Sequence, residues 1–365
     1  MDPRIDRLQR ASANAPSSIG LAGGLPAPEL FPRAGFAQAF LDAVRVPACP
    51  ALQYGWPEGD EGLRAWVAAR LRNRGVPVAA EDVLITNGAQ EAISIAAELL
   101  VPRGAGVAVD GYTYPAALEL FRARGATPRR ALDGCACAYV MPGVANPGGS
   151  ALPLERRAAL LACGIPLIAD EAYTELRFDG RIERPLLADA RDRVWHVGTL
   201  SKTLCPGLRV GWLVPPRTGL PDAIDAKHRR DLQAGSLSQE VARIFLLRDD
   251  FDARLSLARA FYRRRAERLL RALRRRFGSW TIHEPVGGFS VLVETDLAGD
   301  DAQLLATATA HGVSFDPGQM FRAAPASGSI ALRVCFSTVP TAFLDDGAER
   351  LSRAVRAFTR RPTLC

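Results

Sequence analysis

Val197-Gly-Thr-Leu-Ser-Lys-Thr-Leu-Cys-Pro-Gly-Leu-Arg-Val-Gly-Trp212 leads from a short apolar run through a polar turn into a second apolar run. Its flanks at 194–197 and 210–214 read as two buried strands joined by a loop of polar side chains. Working outward, the same texture recurs from about residue 81 to 214, with apolar runs at 83–86, 107–109, 138–141 and 166–169 and helix-length segments between them. Strands apolar on both sides, separated by helices, predict an α/β fold: a mostly parallel sheet flanked by helices. Upstream, residues 59–73 read as a helix with Leu63, Trp66, Val67 and Leu71 on one side. Downstream, residues 251–277 read as a long helix carrying Leu257, Phe261, Leu269, Leu273 and Phe277 inward and its arginines, 263–265 and 274–276, on a solvated face. Beyond Gly278 strands at 290–294 and 330–336 enclose a helix, which predicts a smaller α+β C-terminal domain. The division expected is an N-terminal arm with a small-domain segment over 1–50, a large domain over 51–250, and a linking helix with the small domain over 251–365.

Composition narrows the class. Of 365 residues 48% are hydrophobic and 23% charged, an ordinary balance for a folded soluble protein. The net charge of +7 comes from arginines scattered among nearly as many acids, which argues against a nucleic-acid partner. Arginine outnumbers lysine 44 to 2, so any lysine-dependent chemistry has two candidates, Lys202 and Lys227. The seven cysteines are odd in number and dispersed, and Cys135 and Cys137 lack the companions of a zinc site, so free thiols in a reducing cytoplasm and no metal are expected. The N-terminus lacks the order of a signal peptide, and no apolar run approaches the roughly 20 residues needed to cross a membrane.

Chemistry concentrates at the ends of the predicted strands. A lysine used to form an imine needs a setting in which its amine loses a proton, and a cofactor phosphate beside it needs hydroxyl donors and a guanidinium. Thr199, Ser201 and Arg209 stand around Lys202 in that capacity, although a serine-lysine pair by itself is common and usually lies at the surface. Val83-Leu-Ile-Thr-Asn-Gly-Ala-Gln-Glu-Ala-Ile93 is a strand, a glycine turn and a helix start, which aims the N–H groups of Gly88, Ala89 and Gln90 at an anion or serves packing alone. It lacks the glycine spacing of a dinucleotide fingerprint.

Ile165-Pro-Leu-Ile-Ala-Asp-Glu-Ala-Tyr173 puts Asp170 at the carboxyl end of a buried strand. A carboxylate there either holds a pyridine nitrogen protonated or caps the segment that follows. Tyr173 stands close enough in sequence to donate to a phenolic oxygen of the same ring. Tyr114, in Asp110-Gly-Tyr-Thr-Tyr-Pro115, offers a face for stacking or for simple packing. Asn146, in Ala145-Asn-Pro-Gly-Gly149, sits in a tight turn. Arg333 is a lone guanidinium in an apolar strand, which burial forbids without an anion, so it is internally paired or meets a substrate carboxylate.

In this order the segments resemble the class I/II aminotransferases of pyridoxal-phosphate fold type I, in the branch that holds 2-aminoadipate aminotransferases and the aminotransferase-like domains of MocR-type regulators. Leu21-Ala-Gly-Gly-Leu-Pro-Ala-Pro-Glu-Leu-Phe-Pro32, Leu52-Gln-Tyr54, the Leu84 to Ala92 phrase, Asn146-Pro-Gly-Gly149, Asp170-Glu-Ala-Tyr173 and the segment from Ser201 to Val210 carry the likeness. The resemblance implies pyridoxal 5'-phosphate held by Lys202 as a Schiff base, with Lys202 also shuttling the α-proton and Asp170 pairing with the pyridine nitrogen. It implies that Asn146 and Tyr173 hold the ring oxygen and Tyr114 stacks on the ring. Gly88, Ala89, Gln90, Thr199, Ser201 and Arg209 would hold the phosphate, joined by Tyr54 from a second subunit of a homodimer. Arg333 would bind the substrate α-carboxylate, with Gly24 and Asn146 nearby. The implied reaction is ping-pong transfer of an amino group between an L-amino acid and a 2-oxo acid; other chemistry on the same fold, β-elimination or decarboxylation, and a cofactor-binding sensor are the alternatives. Fewer than 20 residues precede Gly20, which leaves the sensor reading without the DNA-binding domain of those regulators.

The chain also departs from the pattern. Only 31 residues separate Tyr114 from Asn146, which predicts that a helix between two strands is shortened or lost, and Gly148-Gly149 stands where a Pro-Thr-Gly continuation is usual. Lys227, without hydroxyl or arginine companions, is expected at the surface. Arg33 and Arg229 read as surface charge or as partners for an acidic substrate side chain.

Overall fold

The computed structural model describes residues 3–13, 17–47, 49–324 and 329–360. Twelve strands are found among them: β1 (Ile19–Leu21), β2 (Leu84–Thr86), β3 (Gly106–Ala108), β4 (Thr127–Arg129), β5 (Cys135–Val140), β6 (Leu167–Asp170), β7 (Val194–Thr199), β8 (Gly211–Val214), β9 (Thr281–Ile282), β10 (Ser290–Ala298), β11 (Val313–Pro317) and β12 (Ser329–Cys335). The helices are α1 (Pro3–Ala13), α2 (Arg33–Arg45), α3 (Glu61–Asn73), α4 (Ala89–Leu100), α5 (Pro115–Ala123), α6 (Leu154–Ala162), α7 (Leu186–Asp189), α8 (Leu220–Asp231), α9 (Ser236–Arg248), α10 (Phe251–Arg276), α11 (Asp301–Ala310) and α12 (Leu344–Thr359), with short 3₁₀ turns between.

The larger sheet has the order β2-β8-β7-β6-β5-β3-β4, and only β8 runs against the rest. Every residue of β6, β7 and β8 is buried, the signature of a sheet covered on both faces. Loops at the carboxyl ends of β6 and β7 therefore meet where such sheets present their ligands. The second sheet, β1-β11-β12-β10-β9, joins the N-terminal β1 to the C-terminal strands by a parallel pairing of Ile19–Leu21 with Val313–Phe315.

Local rules account for the element ends. Asp60 accepts from the Leu63 N–H at 2.7 Å and so starts α3, whose Leu63, Val67 and Leu71 are buried as the spacing predicts. Asp250 does the same for α10 through the Ala253 N–H at 2.9 Å. Leu269, Leu273 and Phe277 of α10 are buried as expected, but in its first half the inward face is Leu255, Ala258 and Tyr262, and Leu257 is 70% exposed. Arg265 also leaves the solvated face expected for it. It is buried, donates to Glu29 at 2.6 Å and to the Ser337 carbonyl, and lies over the Phe261 ring.

The stretch between Tyr114 and Asn146 keeps α5 and two strands, β4 and β5; what is missing is a helix between those two strands. Residues 130–134 alone carry the chain across β3. The strands are short enough to permit it, and Arg129 fastens the crossing, its Nε 3.1 Å from Cys135 Sγ and its Nη2 donating to the Gly134 carbonyl. Gly106 leaves room for that side chain, since a Cβ there would approach Arg129 Nε to 2.5 Å and shift the guanidinium.

Candidate active site

Three groups of side chains converge at the ends of β2, β6 and β7. The first is an anion cup. Gly88 caps α4 with φ of 82°, and a Cβ there would lie 2.5 Å from Arg209 Nη2, so the bare backbone admits the guanidinium. The Gly88 N–H donates to the Thr86 carbonyl at 2.8 Å, so of the three expected donors only the Ala89 and Gln90 N–H groups start the helix without an intrahelical acceptor. Arg209, itself at φ of 54°, donates to the Asn87 carbonyl at 2.9 Å and reaches Ser201 Oγ at 3.4 Å. Thr199 Oγ1 lies 2.9 Å from Ser201 Oγ and 2.8 Å from the Val210 carbonyl. Two hydroxyls, two helix-start N–H groups and a guanidinium form a donor set suited to a phosphate.

The cup rests on a buried ionic network. Lys227 is fully buried, not at the surface: it pairs with Asp231 and lies 3.2 Å from Glu91 Oε2. Asn87 donates from Nδ2 to Asp231 and from its backbone N–H to Glu91 at 2.6 Å. Burial drives the Glu91 carboxyl above its usual range, with the Asn87 N–H and the Lys227 charge opposing.

The second group lies between strands. Asp170, 3% exposed, accepts from the Ala172 N–H at 3.0 Å and from Tyr139 Oη at 2.7 Å, so it does cap the following turn while keeping acceptor capacity on both oxygens. Burial raises its pKa despite the hydrogen bonds from Tyr139 and Ala172 and the charge of Lys202. Such a carboxylate is stabilised by a cation, which a pyridinium supplies. Burial likewise pushes the Tyr139 hydroxyl well up and the Tyr114 hydroxyl to about 12, the Asp170 charge adding to both. Lys202 Nζ lies 5.2 Å from the centre of the Tyr173 ring and 6.0 Å from that of Phe289, and those two rings meet edge to face. Behind this group, on the far side of β7, Glu171 pairs with Arg74 and lies 3.6 Å from His196 Nδ1. Arg74 and His196 hold the Glu171 carboxyl at about 2 against the upward push of burial.

The third group surrounds Arg333. Its Nη1 donates to Asn146 Oδ1 at 2.8 Å, and its Nε and Nη2 donate to Asp316 Oδ2 at 2.9 and 2.7 Å. Because a guanidinium only donates, Asn146 turns its oxygen to Arg333 and leaves Nδ2 to donate elsewhere. Phe321 covers one face of the guanidinium at 4.7 Å, and Gly24, at φ of 57°, lies close enough that a Cβ would come within 3.1 Å of Nη2. Burial lowers the Arg333 pKa, but the opposing Asp316 charge outweighs it and the net shift is upward.

The structure thus brings together every expected site residue except Tyr54. That ring is 78% exposed and lines a groove with Trp56, Glu61 and Gln239, away from the cup of its own chain. Tyr139, Asp316 and Arg74 are participants that the sequence reading did not single out, while Lys227, expected at the surface, is buried beneath the cup. Asp316 carried the same mark as Arg333, a lone charge in the apolar run Val313-Ser-Phe-Asp, and the two are direct partners across β11 and β12. Among the described residues no group of three or more metal-ligating side chains occurs, and no helix is long and apolar enough to cross a membrane.

Comparison with known proteins places this geometry. Residues 48–351 match the family model for aminotransferase class I and II. The chain is 33% identical over 372 residues to a 2-aminoadipate transaminase of Thermus thermophilus, covering 94% of this chain and 91% of that protein. The crystal structure of LysN, the α-aminoadipate aminotransferase of T. thermophilus complexed with N-(5'-phosphopyridoxyl)-L-leucine, superposes with a TM-score of 0.86 at 31% identity over 96% of this chain and 95% of that one. The probable rhizopine catabolism regulatory protein MocR of Rhizobium meliloti is 29% identical over 94% of this chain and 76% of its own length.

Proposed function

The chain belongs to the class I and II aminotransferases and is a pyridoxal-phosphate-dependent transaminase, and from that premise we propose how its own residues perform the transfer. Ala89, Gln90, Thr199, Ser201 and Arg209 bind the cofactor phosphate; Gly88 contributes by yielding space to Arg209 rather than by its N–H. Asp170 would hold the pyridine nitrogen protonated, with Tyr139 holding the carboxylate. Asn146 Nδ2 and the Tyr173 hydroxyl hold the ring oxygen, and Tyr114 stacks on the ring. When bound, the cofactor supplies the electron sink that makes the substrate α-proton acidic. Lys202 would hold the cofactor through Nζ between turnovers, and, once freed by substrate, Nζ would move the α-proton. Arg333 with Asn146 and Gly24 receives the α-carboxylate, fixing which bond at the α-carbon stands against the ring.

The observation that carries the assignment of Lys202 is the burial of its only rival. Lys227 is locked between Asp231 and Glu91, which leaves Lys202, partly accessible beside Tyr173 and Phe289, as the free amine. We further propose a homodimer in which Tyr54 reaches the partner's phosphate; the exposure of Leu52, Tyr54 and Trp56, at 69, 78 and 80%, supports this. The likeness to a 2-aminoadipate transaminase supports 2-aminoadipate as a donor, and we add, as the alternative, a broad donor range with 2-oxoglutarate as acceptor. We assign residues 51–250 to the cofactor-carrying body and the described residues from 251 onward to the linking helix and smaller body, and the six free cysteines described suit a reducing cytoplasm.

Purified protein supplied with pyridoxal phosphate should show a visible absorbance band that Lys202→Ala lacks. One or more members of a panel of L-amino acids should convert that band with release of the matching 2-oxo acid. Absence of any band from the native protein would remove the assignment.

A further inference from the structure

The carboxylate pocket is already neutralised before any substrate enters. Asp316, 2% exposed, stands opposite Arg333 in the antiparallel register and takes two of its five N–H groups, while Asn146 takes a third. The two that remain, one on each terminal nitrogen, are what a substrate carboxylate can use. Phe321 and Gly24 close the faces of the guanidinium, so the approach is along an edge.

Asp316 does not depend on Arg333 to stay where it is. The Gly23 N–H donates to Oδ2 at 2.9 Å and lies 3.2 Å from Oδ1, Gln9 Nε2 of α1 donates to Oδ1 at 2.6 Å, and the Cys335 thiol points at Oδ2 from 3.5 Å. Arg333 therefore meets an incoming α-carboxylate while a second, fixed carboxylate holds its other edge. In a buried setting the two anions repel with much of the strength with which the guanidinium attracts either.

Resting on the reading of Arg333 as the carboxylate site, we propose that Asp316 determines specificity. It weakens capture of the α-carboxylate and so narrows discrimination between amino acids and amines that lack one. The substrate class this favours is amino donors held chiefly through the amine and the carbon skeleton, simple primary amines included.

The test separates the two halves of an amino acid: pentanoate, a carboxylate without an amine, and butylamine, an amine without a carboxylate. Binding of each to the holoenzyme is measured by calorimetry for the native protein, Asp316→Asn, Asp316→Val and Arg333→Ala. Removing the charge of Asp316 should tighten pentanoate by about tenfold or more and leave butylamine within about twofold. Because either substitution leaves Arg333 without its anion, added pentanoate should also raise the thermal midpoint of the Asp316 variants more than that of the native protein. Pentanoate binding that is unchanged or weaker in both Asp316 variants overturns the proposal; if Arg333→Ala still abolishes it, the carboxylate-site reading survives alone. Pentanoate binding indifferent to Arg333→Ala sinks both.

Discussion

Tyr139 donates to Asp170 in a site where neither group meets water, so its hydrogen bond carries more weight than one at the surface. Replacing Tyr139 by Phe keeps the ring and removes one donor from the carboxylate. The loss of a buried charge-assisted hydrogen bond is about 1.5 to 3 kcal/mol, so Tyr139→Phe should lower turnover roughly tenfold or more while the protein still binds cofactor. Turnover equal to the native value, with the cofactor spectrum unaltered, would show that Tyr139 is only packing. At this scale the sequence marks Asp170 and Arg333 as charges set against apolar runs, and Lys202 by the scarcity of lysine and its hydroxyl and arginine companions, whereas Asp316 carries the first mark and is not read from it. It was not legible for pairs, because the register that sets Asp316 against Arg333, and Tyr139 beside Ile168 and so on the same face as Asp170 two residues on, belongs to the sheet and not to either strand alone.

The buried strands of the larger sheet and helices α3 and α10 follow from periodicity, but β1, β9 and the fully buried β11 of the second sheet do not, nor does β4, which is three residues with Pro128 at its centre and lies at the sheet's edge where a proline is tolerated. The face of α10 is legible at Leu269, Leu273 and Phe277 but not in its first half, where apolar residues lie on more than one side and which of Leu255 and Leu257 turns inward is decided by what packs against it. Lys227 on α8 was misread because a charge at a helical position ordinarily faces solvent, and its partners come from Asp231 and from Glu91 on α4. That network ties α8 to the start of α4 and thereby to the phosphate cup. Lys227→Met removes the buried cation and strands two carboxylates, a change of about 3 to 5 kcal/mol. The variant should melt several degrees lower and release its cofactor more readily on dialysis; a melting point within a degree of native would contradict the role given to the network.

For the molecule as a whole, the acid limit of stability should be set in part by Glu171. Its carboxyl is held at about 2 in the fold against an ordinary value of 4.5, so the unfolded chain takes up the proton first as pH falls. Its contribution is complete above about pH 4.5 and is lost progressively as pH falls toward 2, on the order of 3 kcal/mol over that window. Because Arg74 lies just past the end of α3 and His196 on β7, protonation loosens a helix from the central sheet. Thermal unfolding followed from pH 6 downward should show a steep acid decline in the native protein and a shallower one in Glu171→Gln; parallel curves would place the acid sensitivity elsewhere.

The lysine economy has a practical consequence at the same scale. With 44 arginines providing the positive charge and Lys227 wholly enclosed, the molecule presents Lys202 as its one partly accessible side-chain amine. Acylating reagents that scatter over the surface of an ordinary protein should here mark a single position besides the terminal amine. Intact mass after brief acylation then counts empty sites directly, and the protein carries its own occupancy gauge.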